Sequence, residues 1–317
     1  MSDEEKMIAY GPVPSRRLGK SLGINNIPPK ICTYSCVYCQ LGRTLNMKLE
    51  RETFYEPEKL LESIKKKVNE ARKNNEHIDF LTFVPDGEPT LDINLGRELE
   101  LVKSLGIKTG VITNSSLIYR EDVRSDLSHA DWVSLKIDAV NKDTWKKIDR
   151  PHGMLDLDKI LEGIKVFSNS FNGDLVTETM LVKGINDNQS DLEDVAFFIS
   201  GVKHKKSYLS IPIRPPAEKW VNPASEYSIN KAFQIFKGKS IDVEYLIGYE
   251  GNAFAHTGEI EDDILSITSV HPMKKEAVEE FLKKAGSNWD VIQNLLLDKK
   301  LVELEYKKDI FYMRKLR

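Results

Sequence analysis

All three cysteines of this 317-residue chain fall in one short segment, Cys32-Thr-Tyr-Ser-Cys36-Val-Tyr-Cys39. An odd number of cysteines packed this closely makes a poor disulfide framework, and in an intracellular protein such spacing reads as metal binding. A [4Fe–4S] cubane needs four outer ligands, which cysteine thiolates normally supply. Three cysteines leave one iron open, and an open coordination position marks a catalytic metal site rather than a structural one. The spacing is short because a single loop must wrap a compact cluster. The competing readings are a zinc ion, for which no histidine adjoins the loop as fourth ligand, and inert thiols.

Other polar clusters stand where apolar runs end. Phe80 to Val84 is followed by Asp86-Gly87-Glu88-Pro89-Thr90; a glycine permits close backbone approach to a ligand, and a neighbouring carboxylate can accept from an ammonium group. Taken alone, the same segment reads as a strand-to-helix turn. Thr113-Asn114-Ser115 ends the next run and offers small hydroxyl and amide groups to a ligand, or a helix N-cap. Lys136 and Asp138 end a fourth run, where buried charges would be costly unless they face a ligand or each other. Arg150 beyond them suits bidentate carboxylate binding, with a structural ion pair as the alternative. Glu178, Asn186 and Arg214 are weaker candidates of the same kind, and His256, near a domain junction, reads as structural.

The elements that must position these groups alternate. Strands are predicted at 22–25, 80–84, 108–113, 132–137, 175–182, 208–213 and 241–247. Helices are predicted at 57–74, 95–105, 120–128, 155–171, 190–199 and 229–236. The first helix carries Leu60, Leu61, Ile64 and Val68 on one stripe. Apolar strands alternating with amphipathic helices imply βαβ units and a parallel sheet covered by helices. The expected fold is α/β, a partial (β/α)6 TIM-type barrel, in which chemistry sits on loops at the strand C-terminal ends. Each polar cluster above falls at such an end.

A boundary near 258 separates residues 1–258 from a smaller α+β domain at 259–317. There a strand at 264–270, a helix opening at Pro272, a second helix from Ser287 and a hairpin across Lys307-Lys308-Asp309 make a winged-helix-like module. Lys299, Lys300, Lys307, Lys308, Arg314, Lys315 and Arg317 gather around the hairpin. They would grip nucleic-acid phosphates or simply solubilise the surface.

Formal net charge is −3 and the sequence pI near 6.1, which argues against a sequence-independent nucleic-acid coat. The acidic start Met1-Ser2-Asp3-Glu4-Glu5 is unlike a secretory signal, and no apolar run is long enough to span a membrane. A cytoplasmic protein with no membrane partner is expected.

The Cx3Cx2C spacing, with aromatic Tyr38 before the last cysteine, resembles the signature of the radical S-adenosylmethionine (SAM) superfamily. The Gly-Pro-Val-Pro-Ser-Arg-Arg-Leu-Gly-Lys-Ser-Leu-Gly segment before the cysteines and Gln40-Leu41-Gly42-Arg43-Thr44 after them resemble a narrower subgroup, Fe–S oxidoreductases related to wyosine-tRNA synthases and NifB. The likeness covers about residues 10–256. It implies that Cys32, Cys36 and Cys39 hold a [4Fe–4S] cluster whose free iron binds SAM. Tyr38 would then pack beside adenine, and Gly87 and Glu88, in a variant Gly-Gly-Glu motif with Asp86 for its first glycine, would meet the SAM amino group. Asn114 and Ser115 would reach the ribose, with Lys136, Asp138 and Arg150 as further contacts. It also implies a low-potential electron donor of ferredoxin or flavodoxin type, reductive cleavage of SAM, and hydrogen abstraction by a 5′-deoxyadenosyl radical. No cysteine remains for an auxiliary cluster or for dual-cysteine RNA methylation, so a single-cluster hydrogen abstraction fits best. The expected substrate is a macromolecule presented by the C-terminal module, tRNA being one candidate. The alternatives are a peptide, protein or small metabolite, and an Fe–S redox regulator that binds DNA through the winged helix.

Overall fold

The computed structural model describes residues 8–247, 254 and 259–315. Its centre is an eight-stranded open sheet, β1 (Ala9–Ser15), β2 (Gly19–Ile24), β3 (Phe80–Phe83), β4 (Lys108–Thr113), β5 (Trp132–Lys136), β6 (Asp174–Met180), β7 (Lys206–Ser210) and β8 (Val243–Leu246). Spatial order equals chain order, β1 runs antiparallel to β2, and every other pairing is parallel. The parallel strands therefore deliver all their following loops to one edge of the sheet, where an α/β fold builds its sites. The α/β architecture matches expectation, with one strand that the sequence pattern hides. β1 carries Gly11, Pro12 and Pro14, which break the alternation by which a strand is recognised.

The covering helices follow their apolar stripes. α1 (Pro57–Lys73) opens with proline, carries Glu58 in its first turn and Arg72 and Lys73 in its last, and buries Leu60, Ile64, Val68 and Ala71 on one face. Each of the larger three contributes roughly 1.5–3 kcal/mol by leaving water. α2 (Leu95–Val102), α3 (Glu121–Leu127), α4 (Lys142–Ile148), α5 (Leu157–Ser170), α6 (Gln189–Ser200) and α7 (Glu226–Gly238) complete the layer.

The C-terminal segment differs from expectation at its start. Residues 264–270 lie within a helix, α8 (Ile260–Val270), instead of a strand. That helix is buried almost all round from Asp263 to Val270, and its polar residues there, Ser266, Thr268 and Ser269, are buried and bond carbonyls of their own helix, so no solvated face marks a helical period. Next come β9 (Met273–Lys274), α9 (Lys275–Lys284), α10 (Asp290–Leu297), β10 (Leu301–Tyr306) and β11 (Asp309–Arg314), with β11 central in a three-stranded antiparallel sheet. These elements share a second hydrophobic core with Tyr10 and Val13 of β1. Buried Asp263 meets Lys67 at 2.7 Å, a bond that ties α8 to α1. His256 lies outside the described residues.

Beside α2, two buried carboxyls, Asp92 and Glu98, adjoin each other. Burial above all pushes Asp92 from 3.8 up to about 7. Because the folded state disfavours the ionised form, the cost is absent at low pH, grows as pH rises through the carboxylate range, and is complete above about pH 7. Asp92→Asn, which keeps the oxygen that accepts from the Asn94 amide, is expected to raise the melting temperature by a few degrees more at pH 8 than at pH 5. Thermal melts at the two pH values check this.

Candidate active site

The cysteine loop leaves β2 and crosses the C-terminal edge of the sheet. Its backbone is fastened from outside. Ser35 and Val37 donate to the carbonyls of Asp149 and Ile148 (3.1 and 2.9 Å), and the His152 amide donates to Thr33 O (2.9 Å). Thr33 and Ser116 share a 2.6 Å hydroxyl bond, and the Trp145 indole donates to Tyr34 Oη at 3.1 Å. Gly87 completes the clamp. Its backbone pairs with Ile31, so closely that a Cβ there would stand 1.9 Å from Ile31 O. Glycine is therefore obligatory by contact.

Cys32, Cys36 and Cys39 open together on one cavity of about 350 Å³. Its remaining walls come from β1, β2 and their turn, the ends of β3 to β7, and Val270 and His271 at the end of α8. Burial pushes the Cys32 thiol up to about 12 and raises Cys36 and Cys39 as well. The thiols are thus protonated at neutral pH until a metal displaces their protons.

Of the residues singled out in the sequence, Tyr38, Gly87 and Lys136 line this cavity. Tyr38 donates from its hydroxyl to Asp138, while the Lys136 ammonium stands 4.9 Å from its ring centroid. Asp138 is buried and also accepts from the Met180 amide at 2.7 Å. With Asn114 and Lys136 it lines a small adjoining recess that also holds Asp149. Burial and the Asp138 charge push Asp149 well above the usual carboxylate range, and Cys36 Sγ lies 3.4 Å from Asp149 Oδ1. Asn114 braces the loop, its Nδ2 2.8 Å from Thr33 Oγ1 and 3.5 Å from Cys32 Sγ.

Three expected contacts are placed otherwise. Glu88 is fully buried and turned into the protein. Its carboxylate accepts from Thr90 N (3.1 Å), Thr90 Oγ1 (2.7 Å), Thr113 Oγ1 (2.6 Å) and Asn114 N (2.8 Å), tying the end of β3 to that of β4. Ser115, at φ 67°, is buried off the cavity. Arg150 pairs with Glu218, which Arg43 also holds at 2.9 and 3.0 Å, and none of the three lines the cavity. Among the weaker candidates, Asn186 is buried and bonds only backbone, whereas Glu178 and Arg214 do reach the cavity wall.

The loop carboxylate that faces the cavity is Asp86. Its Oδ2 lies 3.4 Å from Lys30 Nζ, too long for a good hydrogen bond, and among the described residues neither buried atom has a hydrogen-bond partner. The sequence pattern missed Lys30 because it precedes the cysteines and sits on no periodic element. It also missed Gln40, whose Nε2 donates to Val270 O (2.9 Å) and whose Oε1 accepts from Arg214 (3.0 Å), while Arg214 lies 2.8 Å from His271 Nε2. Through these bonds the residue after Cys39 touches the C-terminal segment.

This chain belongs to the radical SAM superfamily, whose sequence profile matches residues 26–199. More narrowly, it is 48% identical over 313 residues to a UPF0026 protein of Methanocaldococcus jannaschii, which covers 98% of this chain and 97% of the relative. It is 33% identical to a UPF0026 protein of Helicobacter pylori, across 87% and 88% of the two chains. Among solved structures, TYW1 with a lysine–pyruvate adduct bound aligns with a TM-score of 0.54 at 16% identity, over 74% of this chain and 80% of that one, a likeness of fold.

The superfamily's cofactors, a [4Fe–4S] cluster and SAM, fit what this cavity offers. The donor set is three thiols on one wall. Among the described residues no three His, Cys, Asp or Glu side chains converge on a single-ion site, and a cubane instead takes each thiolate on a different iron. The under-bonded Lys30 and Asp86 beside them suit a zwitterion. Gly87→Ala is expected to abolish cluster loading, because the new methyl displaces Ile31 and with it Cys32. Iron content and visible absorption after anaerobic reconstitution measure the loss, with the far-ultraviolet dichroism unchanged.

Proposed function

We propose that this protein is a single-cluster radical SAM enzyme that abstracts a hydrogen atom from a substrate held under its C-terminal segment. The observation that carries the reading is the opening of Cys32, Cys36 and Cys39 onto one cavity at the C-terminal edge of a parallel sheet. A [4Fe–4S] cluster held there would supply, at low potential, the electron for reductive cleavage of SAM.

The protein's own part is to bind, orient and exclude water. Cys32, Cys36 and Cys39 would hold the cluster. Asp86 would accept from the ammonium of the methionine moiety and Lys30 would donate to its carboxylate, each gaining a good hydrogen bond. Tyr38, fixed by Asp138, offers a flat face to adenine. Glu88 and Asn114 act behind the site by holding the loops. An external ferredoxin- or flavodoxin-type donor supplies the electron, and the compartment is the cytoplasm.

On this reading the C-terminal elements act as a winged-helix-like module that positions the substrate. Val270 and His271 wall the cavity, and Tyr306, beside the Lys307–Lys308 turn, donates to Pro212 O at 3.1 Å. Exposed Lys299, Lys300, Lys307 and Lys308 suit RNA phosphates, and a tRNA is the macromolecule we favour. The cavity's modest volume favours a small metabolite as the second reading.

Reconstituted protein given dithionite and SAM is expected to release 5′-deoxyadenosine, detectable by chromatography. Cys32→Ala, Cys36→Ala and Cys39→Ala should each reduce it to background. A DNA-binding redox regulator would release none.

A further inference from the structure

Arg43, Arg150 and Glu218 form a cluster in which the cavity has no part. Glu218 is buried, and its carboxylate accepts from Arg43 Nε (2.9 Å) and Nη2 (3.0 Å) while Arg150 Nη1 donates to one of the same oxygens. Both guanidiniums stay in solvent, 68% and 39% exposed, and Lys219 beside Glu218 is exposed as well. One carboxylate thus fixes two planar cations on the surface, with a third cation next to it. Solvent-exposed ion pairs stabilise little, so a second guanidinium on an occupied carboxylate is poorly explained by folding alone.

The same three segments each expose a large apolar side chain. Leu45 follows Arg43 by two residues, Met154 follows Arg150 by four and Trp220 follows Glu218 by two, and they are 73%, 82% and 52% exposed. Because Arg43 and Arg150 meet at Glu218, the segments converge on one face. A single exposed apolar residue is ordinary; three on converging segments, rimmed by cations, mark an interaction surface.

This face lies against the outside of the cysteine loop. Leu45 N donates to Lys30 O (3.2 Å), His152 N to Thr33 O (2.9 Å) and Glu218 N to Val37 O (3.1 Å). Val37, between Cys36 and Cys39, is fully buried beneath it. None of Arg43, Leu45, Arg150, Met154, Lys219 and Trp220 lines the cavity. The loop therefore turns its thiols to one side and meets this surface on the other. A substrate bound here would not reach the cavity, which speaks against RNA as the occupant. An electron needs only closeness, and one loop separates the surface from the thiols.

We propose that this face docks an acidic protein of ferredoxin type that reduces the cluster. The proposal rests on the enzyme reading above and adds to it the place where the electron enters. One electron passes, the ferredoxin being oxidised and the oxidised cluster reduced, with no bond made or broken. The occupant follows from charge and potential. Cations around an apolar centre complement an acidic partner, and ferredoxin clusters reach the low potentials that the transfer requires. A transient redox encounter buries less than about 1,200 Å², which suits a patch of this few residues.

The test uses the full chain, reconstituted anaerobically, with an acidic [4Fe–4S] ferredoxin as probe. Calorimetry at low salt is expected to show saturable binding that weakens as salt rises. Lys219→Glu and Trp220→Ala should each weaken it about tenfold, whereas Phe197→Ala, at an exposed apolar residue of α6, should not. Stopped-flow bleaching of the visible absorption then compares reduction by ferredoxin with reduction by dithionite, which needs no docking. The ratio of the two rates should fall in the same two variants. Absence of ferredoxin binding by wild-type protein that holds its cluster would overturn the proposal, as would affinity unchanged in both Lys219→Glu and Trp220→Ala. Loss of tRNA retention in those variants, with ferredoxin affinity intact, would assign the face to RNA and overturn it too. A protein that binds ferredoxin and takes its electron yet never cleaves SAM would support the docking surface and strike the enzyme reading.

Discussion

A loop that gives its thiols to a metal cluster cannot also use them to hold itself in place, so its shape must be imposed from outside. In this protein that constraint is met where the loop touches the ends of β3 and β4. Gly87 admits the backbone of Ile31 at a distance no side chain tolerates, and the buried Glu88 carboxylate gathers donors from Thr90, Thr113 and Asn114. Asn114 then reaches Thr33 and Cys32. The links are buried or partly buried, where an unmet donor or acceptor costs about 1–3 kcal/mol. The position of the cysteines is therefore set by the sheet edge, through Gly87 and Glu88, together with the backbone bonds to residues 148–152.

A second consequence concerns the C-terminal segment. β1 runs antiparallel at the edge of the sheet and lends Tyr10 and Val13 to the C-terminal core. The packing of α8 on that edge brings Val270 and His271 to the cavity, and Gln40, next to Cys39, bonds Val270 directly. The wall farthest from the cysteines in sequence is thus one hydrogen bond from the cysteine loop.

Much of this was legible in the residues, for identifiable reasons. The stripe of Leu60, Ile64 and Val68 has one buried face and one solvated face, so its period shows. The cysteine spacing is chemistry written locally. What the sequence concealed was whatever depends on direction. Asp86 and Glu88 are two residues apart and chemically alike, yet one faces the cavity and the other the interior. Arg150 reads as a ligand-binding guanidinium until Glu218 is seen beside it. Arg17 meets Glu178, 161 residues distant in sequence. α8 read as a strand because its polar residues are small, buried hydroxyls that bond their own helix and mark no solvated face.

The central claim is that three thiolates leave one iron of a cubane free for SAM. Electron–nuclear double resonance on the reduced protein, with SAM labelled by 15N at the amino group and 17O at the carboxylate, tests it most directly. The account predicts four irons per chain and hyperfine coupling from both labels to a single iron. A chain that bound one zinc ion, or held four irons with no coupling to either label, would contradict it.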